Sequence, residues 1–208
     1  FFIYIFLPFN NWNDERKHQI MPKNNKIATI CIGLTAAILT GCATQNDVLS
    51  SKILGSSRGS HSQHTTYQYA AGNRDLKTTI IGNPFNMSKS DFGRRVTQLM
   101  QGNDRGINAN FVTKPGSSAK VGYHAVMLFN PSLGVSLSRV CSAPENERSS
   151  GGTDTLSALL VFCGPTPISA GLASANSVSS ISDPKFSKII EGVTFFMTPI
   201  EPPEFDSW

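Results

Sequence analysis

Long apolar runs, runs of like charge and cysteine are all scarce in this chain. Only 15% of its residues are charged, against roughly a quarter in average soluble proteins. No basic cluster of the kind that grips a nucleic-acid backbone is present, so no nucleic-acid partner is expected. A membrane-spanning helix needs about 20 apolar residues. The segment Ile27–Leu39 offers about 13, diluted by Thr29, Gly33 and Thr35. The four cysteines and four histidines show none of the paired spacing that makes a zinc site, and neither metal nor cofactor is expected. His61 and His64 stand three apart, but among Ser, Gln and Thr with no further ligand at metal spacing. No Gly-x-Ser-x-Gly occurs. Ser117-Ser118-Ala119-Lys120 has the outline Ser-x-x-Lys without its companion motifs, and is better explained as a hairpin loop after Pro115-Gly116. No catalytic residue is assigned, and the reading leans away from an enzyme.

What is there begins at Met21. A basic start with Lys23 and Lys26, the short apolar stretch Ile27–Leu39 and small residues after it describe a secretory signal peptide over residues 21–41. Leu39-Thr40-Gly41-Cys42 resembles the lipobox of bacterial lipoproteins. In that family the cysteine becomes the mature N-terminus and carries the lipid, palmitate included, so the resemblance implies lipidation at Cys42. Its sorting rule retains lipoproteins in the inner membrane mainly through Asp after that cysteine. Ala43 stands here, which implies the outer membrane, with the domain on its periplasmic face. Residues 1–20 precede this start and are expected to be an over-extended reading frame or an artefact.

Processing at Cys42 would leave about 167 residues, one domain and a tether. It would also leave 14 basic and 12 acidic side chains, a net charge of +2. Of the cysteines, Cys141 and Cys163 remain for the fold. An even pair in an oxidising compartment points to a disulfide, worth roughly 3 kcal/mol for a loop of about 22 residues. Free buried thiols or a metal pair are the alternatives.

Ala43–Thr66 is rich in Ser, Gly, Thr, Gln and His, and is expected to be a flexible tether, so that the domain spans residues 67–208. Leu76–Ile81 reads as a strand before Gly82-Asn83-Pro84. Ser88, with Asp91 three residues on, opens an amphipathic helix over Lys89–Gln101 that turns Phe92, Val96, Leu99 and Met100 to one side. Ile107–Thr113 and Val121–Phe129 read as strands, the second apolar on both faces and therefore central. Gly134–Cys141 alternates and reads as a strand, and Leu156–Cys163 as another buried one. A meander of the last three would align the two cysteines. Gly164–Ser182 reads as slack or partly ordered chain. Asp183-Pro184 starts a final helix with Phe186, Ile189, Ile190, Val193, Phe196 and Met197 on one face. The expected fold is α+β, a two-layer sandwich of a mostly antiparallel sheet with two amphipathic helices on one face.

His124 lies beside Tyr123 in the Val121–Phe129 strand. No nucleophile or carboxylate accompanies it in a motif, so it reads as structural. Lys89, Arg94, Arg95 and Arg105 form the densest basic cluster. They are placed on a solvated helix face, with anionic lipid or peptidoglycan carboxylates as the functional alternative.

Asp75-Leu76, Gly82-Asn83-Pro84-Phe85, Asn110-Phe111-Val112-Thr113, Val126–Pro131, Val140-Cys141 and Phe162-Cys163 together resemble an uncharacterised group of small proteobacterial lipoproteins, over residues 67–198. That group implies domain limits and no chemistry. The expected function is a lipid-anchored periplasmic envelope protein with a non-enzymatic binding or envelope-maintenance role. Its partners would be the membrane, through the lipid, and an envelope protein or peptidoglycan. The alternative is an envelope enzyme with a pocket near His124 under the 164–182 loop.

Overall fold

The computed structural model describes residues 48–55, 60–150 and 154–202. The signal-like segment, the lipobox with Cys42, and the tail beyond Pro202 lie outside the described residues. Six strands form one sheet in the order β1-β6-β5-β4-β2-β3. The strands are β1 (Val48–Leu54), β2 (Asp75–Ile81), β3 (Asn110–Val112), β4 (His124–Phe129), β5 (Thr155–Cys163) and β6 (Pro167–Asn176). Three of the five pairings are antiparallel; β2 runs parallel to both β4 and β3. The helices are α1 (His61–Ala71), α2 (Lys89–Met100), α3 (Leu137–Ser142) and α4 (Pro184–Met197). The class is α+β, with the two amphipathic helices α2 and α4 on one face of a mostly antiparallel sheet, as expected.

Local chemistry sets the two long helices. The Ser88 hydroxyl accepts from the Asp91 amide at α2, and the Asp183 carboxylate accepts from the Lys185 amide at α4, ahead of Pro184 in the first turn. Their apolar faces close over the sheet. Phe92 of α2 and Phe186 of α4 meet Phe129 of β4 at ring separations of 5.2 and 6.0 Å. Ala125, Met127 and Phe129 of β4 alternate with Leu156, Ala158, Leu160 and Phe162 of β5 in this core.

Three expectations are corrected. The expected tether Ala43–Thr66 contains β1 and most of α1, so the domain begins by Val48 rather than near Tyr67. β1 shows the two-residue alternation of a half-buried strand, and α1 buries His64, Tyr67, Ala70 and Ala71. Tyr67 sits edge-on to Phe162 at 4.9 Å. Polar composition concealed both, because α1 buries small residues and one tyrosine rather than an aliphatic stripe.

Gly164–Ser182 is mostly β6, paired with β5 and β1. Its Ala, Gly and Ser residues have low strand propensity, and packing supplies the reason for them. A Cβ on Gly171 would stand 2.8 Å from the Met197 amide nitrogen and the Val193 carbonyl oxygen. Small side chains here let the α4 backbone lie directly on the sheet.

Gly134–Cys141 contributes helix α3 instead of a strand. Leu137, Val140 and Cys141 fit helical spacing as well as Val135 and Leu137 fit alternation, so a short apolar run is ambiguous by period alone. The Ser136 hydroxyl accepts from the Arg139 amide and selects the helix. β4 and β5 consequently pair directly, with His124 opposite Cys163 and Phe129 opposite Ala158, and no meander forms. The strands beginning at Ile107 and Val121 are also shorter than expected, at Asn110–Val112 and His124–Phe129.

α3 lies on the sheet face away from the other helices. It packs through Val140 onto a smaller cluster of Val126, Leu128, Leu159, Val161, Cys163 and Ala170. Cys141 and Cys163 are disulfide-bonded, with their Cα atoms 5.5 Å apart. The bond pins α3 to β5; Cys163 is fully buried and Cys141 half-buried. The expected pair is present, although Cys141 reaches it from a helix.

Candidate functional site

His124 is the first residue of β4, and it stands in a cleft of about 660 Å³. The cleft opens at the end of the sheet where β4 begins, on the α3 side. Lys77 and Thr79 of β2 form its floor with His124, the loop from Pro115 to Tyr123 forms one wall, and Cys141, Pro144 and Glu145 form the other. Alternation along β4 puts His124 on the face of Val126 and Leu128, with Ala125 and Met127 opposite.

The loop wall is fastened by Asp75. Its carboxylate accepts from the Gly116 amide at 2.6 Å and the Asn110 side-chain amide at 2.7 Å, and the Asp75 amide donates to the Ser118 hydroxyl at 3.0 Å. The two bonds to the carboxylate, from Gly116 first and then from Asn110, with a smaller contribution from the Ser118 side chain, hold the Asp75 carboxyl below its ordinary range. Ser117 and Lys120 of the Ser-x-x-Lys segment line the cleft, while Ser118 serves Asp75. The expected hairpin is corrected here: β3 and β4 flank β2 on opposite sides, so the segment belongs to a crossover. The Lys120 ammonium rests 4.8 Å from the Tyr69 ring centroid.

His124 Nε2 lies 3.2 Å from the Cys141 carbonyl oxygen. A carbonyl only accepts, so this bond selects the tautomer with the proton on Nε2 and leaves Nδ1 as an acceptor. Burial first, and the Lys77 ammonium next, lower the His124 pKa against the opposing pull of that carbonyl. The imidazole is therefore neutral at pH 7, and its donor is committed to tying β4 to α3 beside the disulfide. The polar side chains that line the cleft with it are Lys77, Thr79, Ser117, Lys120, Tyr123 and Glu145. Such a lining suits a small polar or anionic group, held by two ammonium groups and by hydroxyl and amide donors.

Other sequence candidates are dispersed. His61 is exposed, whereas His64 is turned into the core of the same helix. Among the described residues no cluster of three His, Cys, Asp or Glu groups could hold a metal. Arg94 pairs with Asp91 at 2.8 Å on the solvated side of α2. Arg105 leaves the basic cluster: it donates to the Phe195 carbonyl at 3.0 Å and lies 3.5 Å above the Phe195 ring. Lys52 of β1 approaches the Thr198 carbonyl at 3.4 Å, so two cations sit at the C-terminal end of α4, where the helix dipole favours them. His64, Arg105 and Glu201 edge a smaller cavity of about 350 Å³ nearby. Asp75 enters from the sequence only through the lipoprotein resemblance, and nothing local in the sequence marks Lys77 or Glu145. The turn around Pro115-Gly116 was legible, but the carboxylate that holds it lies 41 residues away.

No protein-family profile and no curated protein matches the chain. Among solved structures, the PelC dodecamer from Paraburkholderia phytofirmans is similar over 73% of this chain and 98% of its own length, at 14% identity and a TM-score of 0.38. A single-residue variant of it gives 12% identity and a TM-score of 0.36 over the same shares. Likeness at this level carries no argument about function.

Proposed function

We propose that the chain is a lipid-anchored envelope protein, held at the periplasmic face of the outer membrane through Cys42, whose α+β domain is a binding module. The observation that carries this reading is Leu39-Thr40-Gly41-Cys42 behind a short apolar segment, only five residues before β1 begins at Val48. The Cys141–Cys163 bond supports it, because such bonds persist in oxidising compartments. The His124 cleft is the surface such a module would offer to an envelope partner or to peptidoglycan.

A non-enzymatic role is supported by the commitment of the His124 proton to a main-chain carbonyl. The alternative of an enzyme under a 164–182 lid is withdrawn in that form, since the segment is chiefly β6. Two measurements test the reading. Intact mass of the membrane-fraction protein should include the diacylglyceryl and acyl additions, lost in Cys42→Ala; an unmodified wild-type mass overturns the anchor. Crosslinked cells should yield a partner whose recovery drops in Lys77→Glu and Lys120→Glu variants. Recovery unchanged by both would remove the cleft from the binding surface.

A further inference from the structure

The uncovered part of the α3-side face has an unusual composition. On the three strands β1, β6 and β5, the side chains pointing to that face are Leu49, Ser51 and Leu54 of β1, Ala170, Leu172, Ser174 and Asn176 of β6, and Thr155, Ser157, Leu159, Val161 and Cys163 of β5. None is charged, whereas the solvated face of an antiparallel sheet usually alternates into charged side chains. α3 covers the middle of this surface and leaves the start of β1 bare, where Leu49 is 74% exposed.

The registers locate this margin within the domain. Leu49 is level with Ser174, Ser174 with Ser157, and the Asn130 amide donates to the Ser157 carbonyl. The loop that leaves β4 there carries Leu133, fully exposed, on its way to α3 on the same face. Leu49 and Leu133 therefore mark one end of the sheet. His124, opposite Cys163, marks the other.

We infer that this end, with Leu49 and Leu133, rests on the lipid surface and directs the His124 cleft away from it. The inference rests on the anchor reading above. Six Cα steps separate Cys42 from Val48, so the chain reaches at most about 20 Å between lipid and strand. A tether that short keeps the exposed leucines at high effective concentration over the bilayer, and modest apolar contact suffices. Leu49 and Leu133 carry no charge, so burying them incurs no ionic desolvation. Contact is shallow, because among the described residues β1 is the sheet edge, whose outer backbone groups hydrocarbon cannot satisfy. Interfacial depth leaves those groups hydrated.

The test uses the full processed lipoprotein in vesicles of phosphatidylethanolamine and phosphatidylglycerol containing chain-brominated lipid. Trp208→Phe removes the other tryptophan of the processed chain, and Leu49→Trp, Leu133→Trp and Val121→Trp are made singly in that background. All three positions are largely or fully exposed, and Val121 lines the cleft at the far end, so folding is preserved. Tryptophan at 49 and 133 should be quenched several-fold more than at 121. Equal quenching at all three, or none at 49 in a chain whose mass proves lipidation, overturns the docking and leaves the anchor standing. An unmodified mass overturns the anchor, and the docking with it. Concentration-dependent association of the Cys42→Ala chain, with Leu49→Trp indifferent to lipid, would assign the face to a second copy and overturn the inference.

Discussion

One face of the sheet is buried under three helices, whereas the other carries a six-residue helix, a disulfide and an open cleft. On the first, Phe85, Phe92, Phe129 and Phe186 interlock, and small residues at Gly171 and Gly192 admit the α4 backbone closely. On the second, α3 has too few apolar residues to hold itself down by burial, and a covalent bond takes over. The contrast separates stability from recognition: the covered face supplies the core, and the sparse face is free to present polar groups around His124.

The largest effect should come from breaking the covered face. Phe186→Ala removes a fully buried ring shared by two helices and β4, and should destabilise the domain by about 3–5 kcal/mol. Urea denaturation will read this as a lower midpoint. A loss under 1 kcal/mol would mean that the aromatic cluster is dispensable.

Next comes the sparse face. Replacing Cys141 and Cys163 together with Ser should cost about 3 kcal/mol for the 22-residue separation. Amide exchange should show the loss concentrated in α3 and its flanks, with α4 and β5 still protected. Equal loss of protection throughout would contradict the division between the faces.

Asp75→Asn sharpens the comparison inside the cleft. The Asp75 carboxyl titrates lower in the fold than in the unfolded chain, so its stabilisation is present above the ordinary value of 3.8 and lost as pH falls through the lower folded value. The variant should loosen the loop from Pro115 to Tyr123 at neutral pH, seen as faster exchange of the Gly116 amide, with little change in the urea midpoint. An unchanged Gly116 exchange rate would count against the clamp.

The smallest effect is expected at His124. Its folded pKa lies below the unfolded 6.5, so the unfolded chain binds the proton first; stability is complete above pH 6.5 and falls as pH drops through 6.5 toward the folded value. His124→Gln should fold, flatten that dependence and leave the envelope phenotype intact. Loss of the phenotype at unchanged protein level would show that His124 acts within the cleft and not only by tying β4 to the Cys141 carbonyl.

The amino-acid sequence by itself determined the elements whose signals are local. α2 and α4 carry their own caps and apolar stripes within about a dozen residues, and β4 and β5 are apolar enough to lie centrally wherever they pair. The even cysteine pair was likewise readable without knowing its route. Tertiary structure alone decided β1, α1, α3 and β6, whose residues are small, polar or ambiguous in period. Ala170–Ala175 is a strand because α4 needs a flat bed and β5 an antiparallel partner, and Leu137–Ser142 is helical because β4 and β5 already pair with each other. The cleft belongs to the second group for the same reason: Lys77, Gly116, His124 and Glu145 converge only when β2 lies between β3 and β4, and no local spacing encodes contacts that distant.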